Sequence, residues 1–186
     1  MLCASELEPV SPRIVLWRFY DPSVKADLFS TAVVIGSGTY LVDPIPLASD
    51  AMVGLGRIAG VIITNENHIR ASSEFAARFR VPIYSAVSDP FAPGLTSARI
   101  DGAPAGEIAV YCDVNGGAMF VGDALINFEP YGFTFLPAKY ASNFKLMRKS
   151  LAKLLDYSFE RMLFAHGMPI LSQARERLEL LLKEHR

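Results

Sequence analysis

Gly60-Val61-Ile62-Ile63-Thr64-Asn65-Glu66-Asn67-His68 is the stretch on which the fold turns. Its first five residues form a short apolar, β-branched run, which reads as a buried strand. A polar loop follows at once. Ser72 or Ser73 then supplies an N-cap for a helix to about Phe79, with Phe75, Ala76 and Phe79 on one face. Val81 to Ser85 is another short strand. Strand, helix, strand in this order predicts a right-handed parallel crossover.

Upstream of this unit, Ile14 to Tyr20 alternates like a sheet strand. Ala32–Ile35 and Tyr40–Val42 flank Gly36-Ser37-Gly38-Thr39 as the arms of a hairpin, and Asp43-Pro44 ends the second arm because proline cannot continue a ladder. Downstream, Glu107–Cys112 and Ala118–Val121 form a second hairpin. The last third is helical, with Phe144, Met147, Leu151, Leu154 and Leu155 at helical spacing. Met162–Ala165 is a strand and Ser172 to about Lys183 a closing helix. A strand-rich start, a mixed middle and a helix-rich end fit an α/β fold of two packed sheets with helices on their outer faces.

The 186 residues suit one domain over 1–186, with 1–12 as a loose N-terminal tail. Apolar residues make up 51% of the chain, above the roughly 45–50% of ordinary domains. We read the surplus as sheets buried on both faces, with room for a homo-oligomer interface. A net charge of −1 with both signs interspersed excludes the basic stripe of a nucleic-acid binder. No run approaches the roughly 18 apolar residues of a membrane helix. Met1 to Arg13 lacks the apolar core of a secretory signal. Cys3 and Cys112 form no disulfide framework, and Cys112 reads as a buried small hydrophobe. A cytoplasmic protein is the expectation.

Two tempting motifs fail on physical grounds. Gly54-Leu55-Gly56-Arg57-Ile58-Ala59 resembles a dinucleotide loop, but a strand rather than a helix N-terminus follows it, so no pyrophosphate cradle forms. Ser37 between two glycines has no helix after it and is no nucleophile elbow.

Chemistry is confined to strand ends. Of the three histidines, His185 sits on a charged helix end and reads as solvated. His68 follows one buried strand, Asp123 ends another in Phe120-Val121-Gly122-Asp123, and His166 follows a third in Phe164-Ala165-His166-Gly167. Two imidazoles and a carboxylate can hold one divalent transition metal, zinc, iron or manganese, with positions left open. Each residue also has a plain alternative. His68 can be a loop histidine, Asp123 a carboxylate accepting backbone N–H groups, and His166 the partner of a turn. Asn65 and Asn67 suit turns. Arg70 is a candidate anion contact, or else solvated or paired. Phe128, Tyr131, Phe133, Phe135 and Tyr140 line a cleft, a subunit contact or the core, with the core favoured for the phenylalanines.

Taken together, these segments resemble the metallo-β-lactamase superfamily. Leu41-Val42-Asp43-Pro44 is similar to its early strand ending in aspartate. Asn67-His68 through Pro82-Ile83-Tyr84 is similar to the end of its metal motif with the helix and strand beyond. Asp101-Gly102-Ala103-Pro104-Ala105-Gly106-Glu107 is similar to the loop carrying a third histidine. Gly122-Asp123 resembles the aspartate that bridges two metals, and His166-Gly167 the last histidine ligand. The resemblance covers nearly the whole chain in order and implies a four-layer αββα sandwich.

The departures carry as much weight. The family pattern is His-x-His-x-Asp-His. Aligned from the helix side, the loop is two residues short, His68 takes the final histidine and Asn67 replaces the aspartate. Aligned from the strand side, Asn65 and Asn67 replace the leading histidines, Arg70 replaces the last, and His68 matches no ligand. The first alignment keeps Phe75 and Phe79 in register and is preferred. Ala103 stands at the third-histidine position. The resemblance therefore implies that the three first-site histidines are gone, that a residual site remains at His68, Asp123 and His166, and that Asn65, Asn67, Arg70 and Ala103 line the cleft around it. Zinc hydrolysis typically needs three protein ligands, and two-metal hydrolysis is not supported. The expectation is a non-catalytic or functionally diverged protein serving as a binding or interaction module, with a small molecule as a candidate ligand and with no cofactor or a single divalent metal. The alternative is a single-metal hydrolase of an ester, lactone or thioester. A metal-free enzyme with His68 as general base ranks last, for want of a nucleophile.

Overall fold

A computed structural model describes residues 3–184. His185 lies outside the described residues. Six strands form the first sheet: β1 (Glu8–Ser11), β2 (Ile14–Asp21), β3 (Ala26–Ile35), β4 (Gly38–Val42), β5 (Ile58–Ile62) and β6 (Ile83–Tyr84), paired in that order. β1 to β4 are antiparallel neighbours; β4, β5 and β6 run parallel. Helix α1 (Ser72–Phe79) connects β5 to β6. The second sheet holds β7 (Thr96–Arg99), β8 (Ile108–Cys112) and β9 (Ala118–Val121). A separate hairpin follows, β10 (Leu125–Phe128) and β11 (Gly132–Phe135). Helix α2 (Phe144–Ala152) then leads to β12 (Arg161–Phe164), which pairs parallel to β9, and α3 (Ala174–Glu184) closes the chain.

Strand alternation sorts the core into three layers. Ile14, Val33, Val42 and Ile62 of the first sheet face Ile108, Val110, Phe120 and Leu163 of the second. Their neighbours Trp17, Ala32, Leu41 and Val61 point the other way, onto Phe75 of α1. Ala109, Met119, Val121 and Met162 turn from the second sheet toward Met147 and Leu151 of α2 and Leu178 of α3. Helix, sheet, sheet, helix is the result. Met147, Leu151 and Leu154 are fully buried; each contributes about 1.5–3 kcal/mol by leaving water.

The expected elements are present, with two corrections. Residues 1–12 are not a loose tail where they are described: Ala4 bridges to Leu47, its N–H donates to Pro46 (3.0 Å), and Glu8–Ser11 pairs with β2. Short edge strands rich in Glu and Pro carry little periodic signal, which is why the reading missed it. Nor does Ser72 or Ser73 cap α1. Ala71 holds the cap position without a side-chain bond. A 3-10 turn over Glu66–His68 and a positive φ at Arg70 (41°) deliver the chain into the helix instead, and the Ala71 N–H is taken by Pro44 (3.0 Å). Cys112 is buried, and burial pushes its thiol up to about 11, as befits a small core residue.

Candidate metal and ligand site

Backbone geometry brings five loops to one end of the two sheets. Asp43 follows β4, Thr64 to Arg70 follow β5, Glu107 precedes β8, Asp123 follows β9 and His166 follows β12. Asn65 opens the Glu66–His68 turn as its cap: its Oδ1 accepts from the Asn67 N–H at 2.9 Å. The turn aims the His68 ring inward. There Nδ1 meets Asp43 Oδ2 at 3.1 Å and Thr64 Oγ1 at 3.0 Å, while Nε2 meets Asp123 Oδ1 at 3.2 Å. Asp43 is itself fixed from the other side, accepting from the Thr64 N–H (2.8 Å) and hydroxyl (2.5 Å). His166 Nε2 lies 3.4 Å from the same Asp123 oxygen.

The second Asp123 oxygen faces amides. Asn65 Nδ2 donates to it at 3.1 Å and Asn67 Nδ2 at 3.4 Å. Four nitrogens from four residues thus surround a single carboxylate. Asn65 also donates to Glu107 Oε2 at 2.6 Å, and the other Glu107 oxygen accepts from the Ala124 N–H at 2.9 Å. A Cβ on Gly122 would stand 2.6 Å from Thr64 Oγ1 and 2.9 Å from Glu107 Oε1, so only glycine lets this network close. Gly167 serves the partner loop: at φ 110° its missing side chain leaves space for the Asn127 backbone, which pairs with it beside His166.

Charge follows from these contacts. Burial opposes the His68 cation, but the Asp43 charge and bonds to Asp123 and Asp43 outweigh it and lift the ring to about 9. Burial likewise opposes both aspartates. The His68 charge and hydrogen bonds still hold Asp43 and Asp123 below the usual carboxylate range. Burial, reinforced by the Arg70 cation, lowers His166 to about 4, so that ring is neutral. Burial and the Asp123 charge push Glu107 up to about 8. At neutral pH the cluster is an imidazolium between two carboxylates, with a neutral glutamic acid behind.

Arg70 is half-buried and forms no ion pair with a carboxylate among the described residues. Its guanidinium donates to the carbonyls of Phe29 (2.6 Å), Asp43 (3.0 Å) and Ala165 (3.3 Å), tying β3 and the end of β4 to the loop after β12 across the two sheets. Ala103 is buried in the helix-side core and does not line the cavity, and Asn65 is buried behind Asp123 rather than on the cavity wall. Asn67, Arg70, His68, Asp123 and His166 form the floor of a cavity of about 790 Å³. Phe128, Tyr131 and Tyr140 line its walls, whereas Phe133 and Phe135 pack into the core.

The donor set fits one metal ion. Two imidazole nitrogens and a carboxylate oxygen lie within 4.8 Å of one another. The two separations from Asp123, 3.2 and 3.4 Å, match the roughly 3.3 Å between neighbouring donors of a tetrahedral zinc with ligands at about 2.0–2.1 Å, and the two imidazole nitrogens lie within 4.8 Å of each other. Asp43 on His68 Nδ1 is the outer carboxylate that such a ligand needs to hold its ring in place. The set does not fit two ions. Asn65 and Asn67 turn N–H donors toward Asp123, and no histidine takes the place of Ala103.

The structure brings His68, Asp123 and His166 together, as the sequence reading expected, and of the aromatic residues it named as cleft candidates Phe128, Tyr131 and Tyr140 line the cavity; Glu107 was not singled out. An acid abutting the apolar run Ile108-Ala109-Val110 was the available signal for Glu107.

Stacked sheets between outer helices, with the polar cluster at the strand ends, define the metallo-β-lactamase fold. Solved structures match it along the chain. The DIM-1 metallo-beta-lactamase superposes with a TM-score of 0.72 at 13% identity, covering 98% of this chain and 100% of its own. A metallo-beta-lactamase from Pontibacter korlensis gives 0.70 at 14%, covering 97% and 99%. An archaeal superfamily protein from Sulfolobus tokodaii gives 0.61 at 13%, covering 84% and 79%. No protein-family model matches the sequence, and no curated protein matches it. Among the described residues, no helix is long and apolar enough to cross a membrane.

Proposed function

We propose that this chain binds a small molecule in the 790 Å³ cavity and has lost two-metal hydrolysis. The observation that carries this reading is the ring of four nitrogens around Asp123. Where a binuclear centre would need lone pairs aimed at two cations, Asn65 and Asn67 supply N–H donors. The positive charge that a carboxylate pair demands is supplied by protonated His68. The cavity lies within the roughly 300–1,000 Å³ range of small-molecule sites.

A second reading has its own support in the donor spacing of His68, Asp123 and His166. Held there, a divalent ion supplies Lewis acidity toward an ester, lactone or thioester carbonyl. In that case His68 gives up its proton and presents Nε2, Asp43 keeps the ring oriented, and Asn67, as a neutral amide, cannot take a proton from water. Within the cluster neither Asp43 nor Asp123 stands free as a general base, because both are engaged.

One assay separates the two. Purified protein, with and without added zinc or manganese, is tested on a panel of esters, lactones and thioesters. The first reading expects no metal-dependent turnover above that of His166→Ala. Turnover that rises with metal and disappears in His166→Ala establishes the second.

A further inference from the structure

We infer that the ligand of this cavity is an uncharged molecule with an apolar or aromatic body and one hydrogen-bonding end; this rests on the reading of the cavity as a small-molecule site. The charged groups on the cavity floor are already engaged. Arg70, the cation on the floor, spends its guanidinium on three backbone carbonyls. His68 lies between two carboxylates, and Asp123 lies among four nitrogens. On the wall, Asp21 accepts from the N–H and hydroxyl of Ser23, at 2.8 and 2.7 Å. Lys139 rests its ammonium 4.7 Å from the centre of the Tyr140 ring. On the floor a carboxylate or ammonium finds each opposite charge engaged, and desolvating it there without a partner is costly, while Asp21 and Lys139 keep their charges in water at the rim.

The apolar walls point the same way. Tyr131, Tyr140 and Val24 line the cavity while 62, 59 and 58% exposed, and Phe128 meets Tyr131 edge-on at 5.6 Å. Large apolar side chains left in water around a concave space gain most from an apolar occupant. Exposed Asn67 on the floor offers the polar end its hydrogen bond.

The test uses three probes of one shape: octan-1-ol, octanoate and octylamine, each displacing the neutral dye Nile red from the full chain at pH 7. Octan-1-ol is expected to bind at least about tenfold more tightly than either charged analogue. Phe128→Ala and Tyr140→Ala are each expected to weaken it several-fold. Equal or tighter binding of octanoate or octylamine overturns the inference while leaving the cavity a binding site. Octan-1-ol binding that neither substitution weakens overturns it too, since the alcohol then sits elsewhere. If neither the dye nor any probe binds, the small-molecule reading itself falls.

Discussion

Glu107→Gln should make the protein more stable at high pH and slightly less stable at low pH. Glu107 is fully enclosed, and its carboxyl is pushed from 4.5 to about 8 by burial and by the Asp123 charge. A raised pKa means that the folded state holds the proton more tightly than the unfolded chain. The stability contributed by neutral Glu107 is therefore fully present below about pH 4.5 and is lost as pH rises through about 8. At about 1.4 kcal/mol per unit, that loss is on the order of 5 kcal/mol. Glutamine cannot ionise and escapes it. Its carbonyl still accepts the Ala124 N–H, but its amide nitrogen faces the donating nitrogen of Asn65, which loses one hydrogen bond worth about 1–2 kcal/mol. The two stability curves should cross between pH 5 and 8, with the variant ahead at pH 9. Urea denaturation followed by tryptophan fluorescence at steps from pH 5 to 9 measures this; Trp17 is wholly buried. Taking the difference between the two proteins removes the titrations they share. A stability difference that stays constant across this range refutes a buried, proton-holding Glu107.

Three further substitutions probe the same architecture. Asp43→Asn should flatten the part of the pH profile that belongs to His68: in the wild type that stability is complete below pH 6.5 and lost as pH passes about 9, and NMR titration of the ring should show its pKa falling toward the ordinary value. Arg70→Lys replaces a fork that reaches three carbonyls with a single ammonium, and thermal melts should show a loss of about 2–4 kcal/mol. Gly122→Ala forces a methyl against Thr64 and Glu107, and should cost about 1–3 kcal/mol by denaturant titration.

The layers were legible because alternation is a local signal. Val61 and Ile62 point to opposite faces, as do Met119 and Phe120, and each pair reads directly as two-sided burial. The edge strands β1 and β7 lack that signal, since Glu8, Pro9, Thr96 and Arg99 are half in water. For the site, histidine and aspartate after apolar runs marked three residues correctly as neighbours. Their companions were hidden because their roles are set by partners distant in the chain. Glu107 meets Asn65 forty-two residues away, and Arg70 meets Ala165 ninety-five away. Ala103 shows the converse: its place in a motif predicted a cleft position, yet a methyl group packs wherever the core is. A side chain without a polar atom has no hold on a polar site once the histidine is gone.

Zinc stoichiometry tests the central claim most directly. Protein freed of metal is titrated with zinc and its metal count read by native mass spectrometry, alongside His166→Ala. With the first-site histidines gone and two amides turned toward Asp123, the count should never exceed one ion per chain and should fall to none in the variant. Two ions per chain, or one that survives loss of His166, would contradict the account.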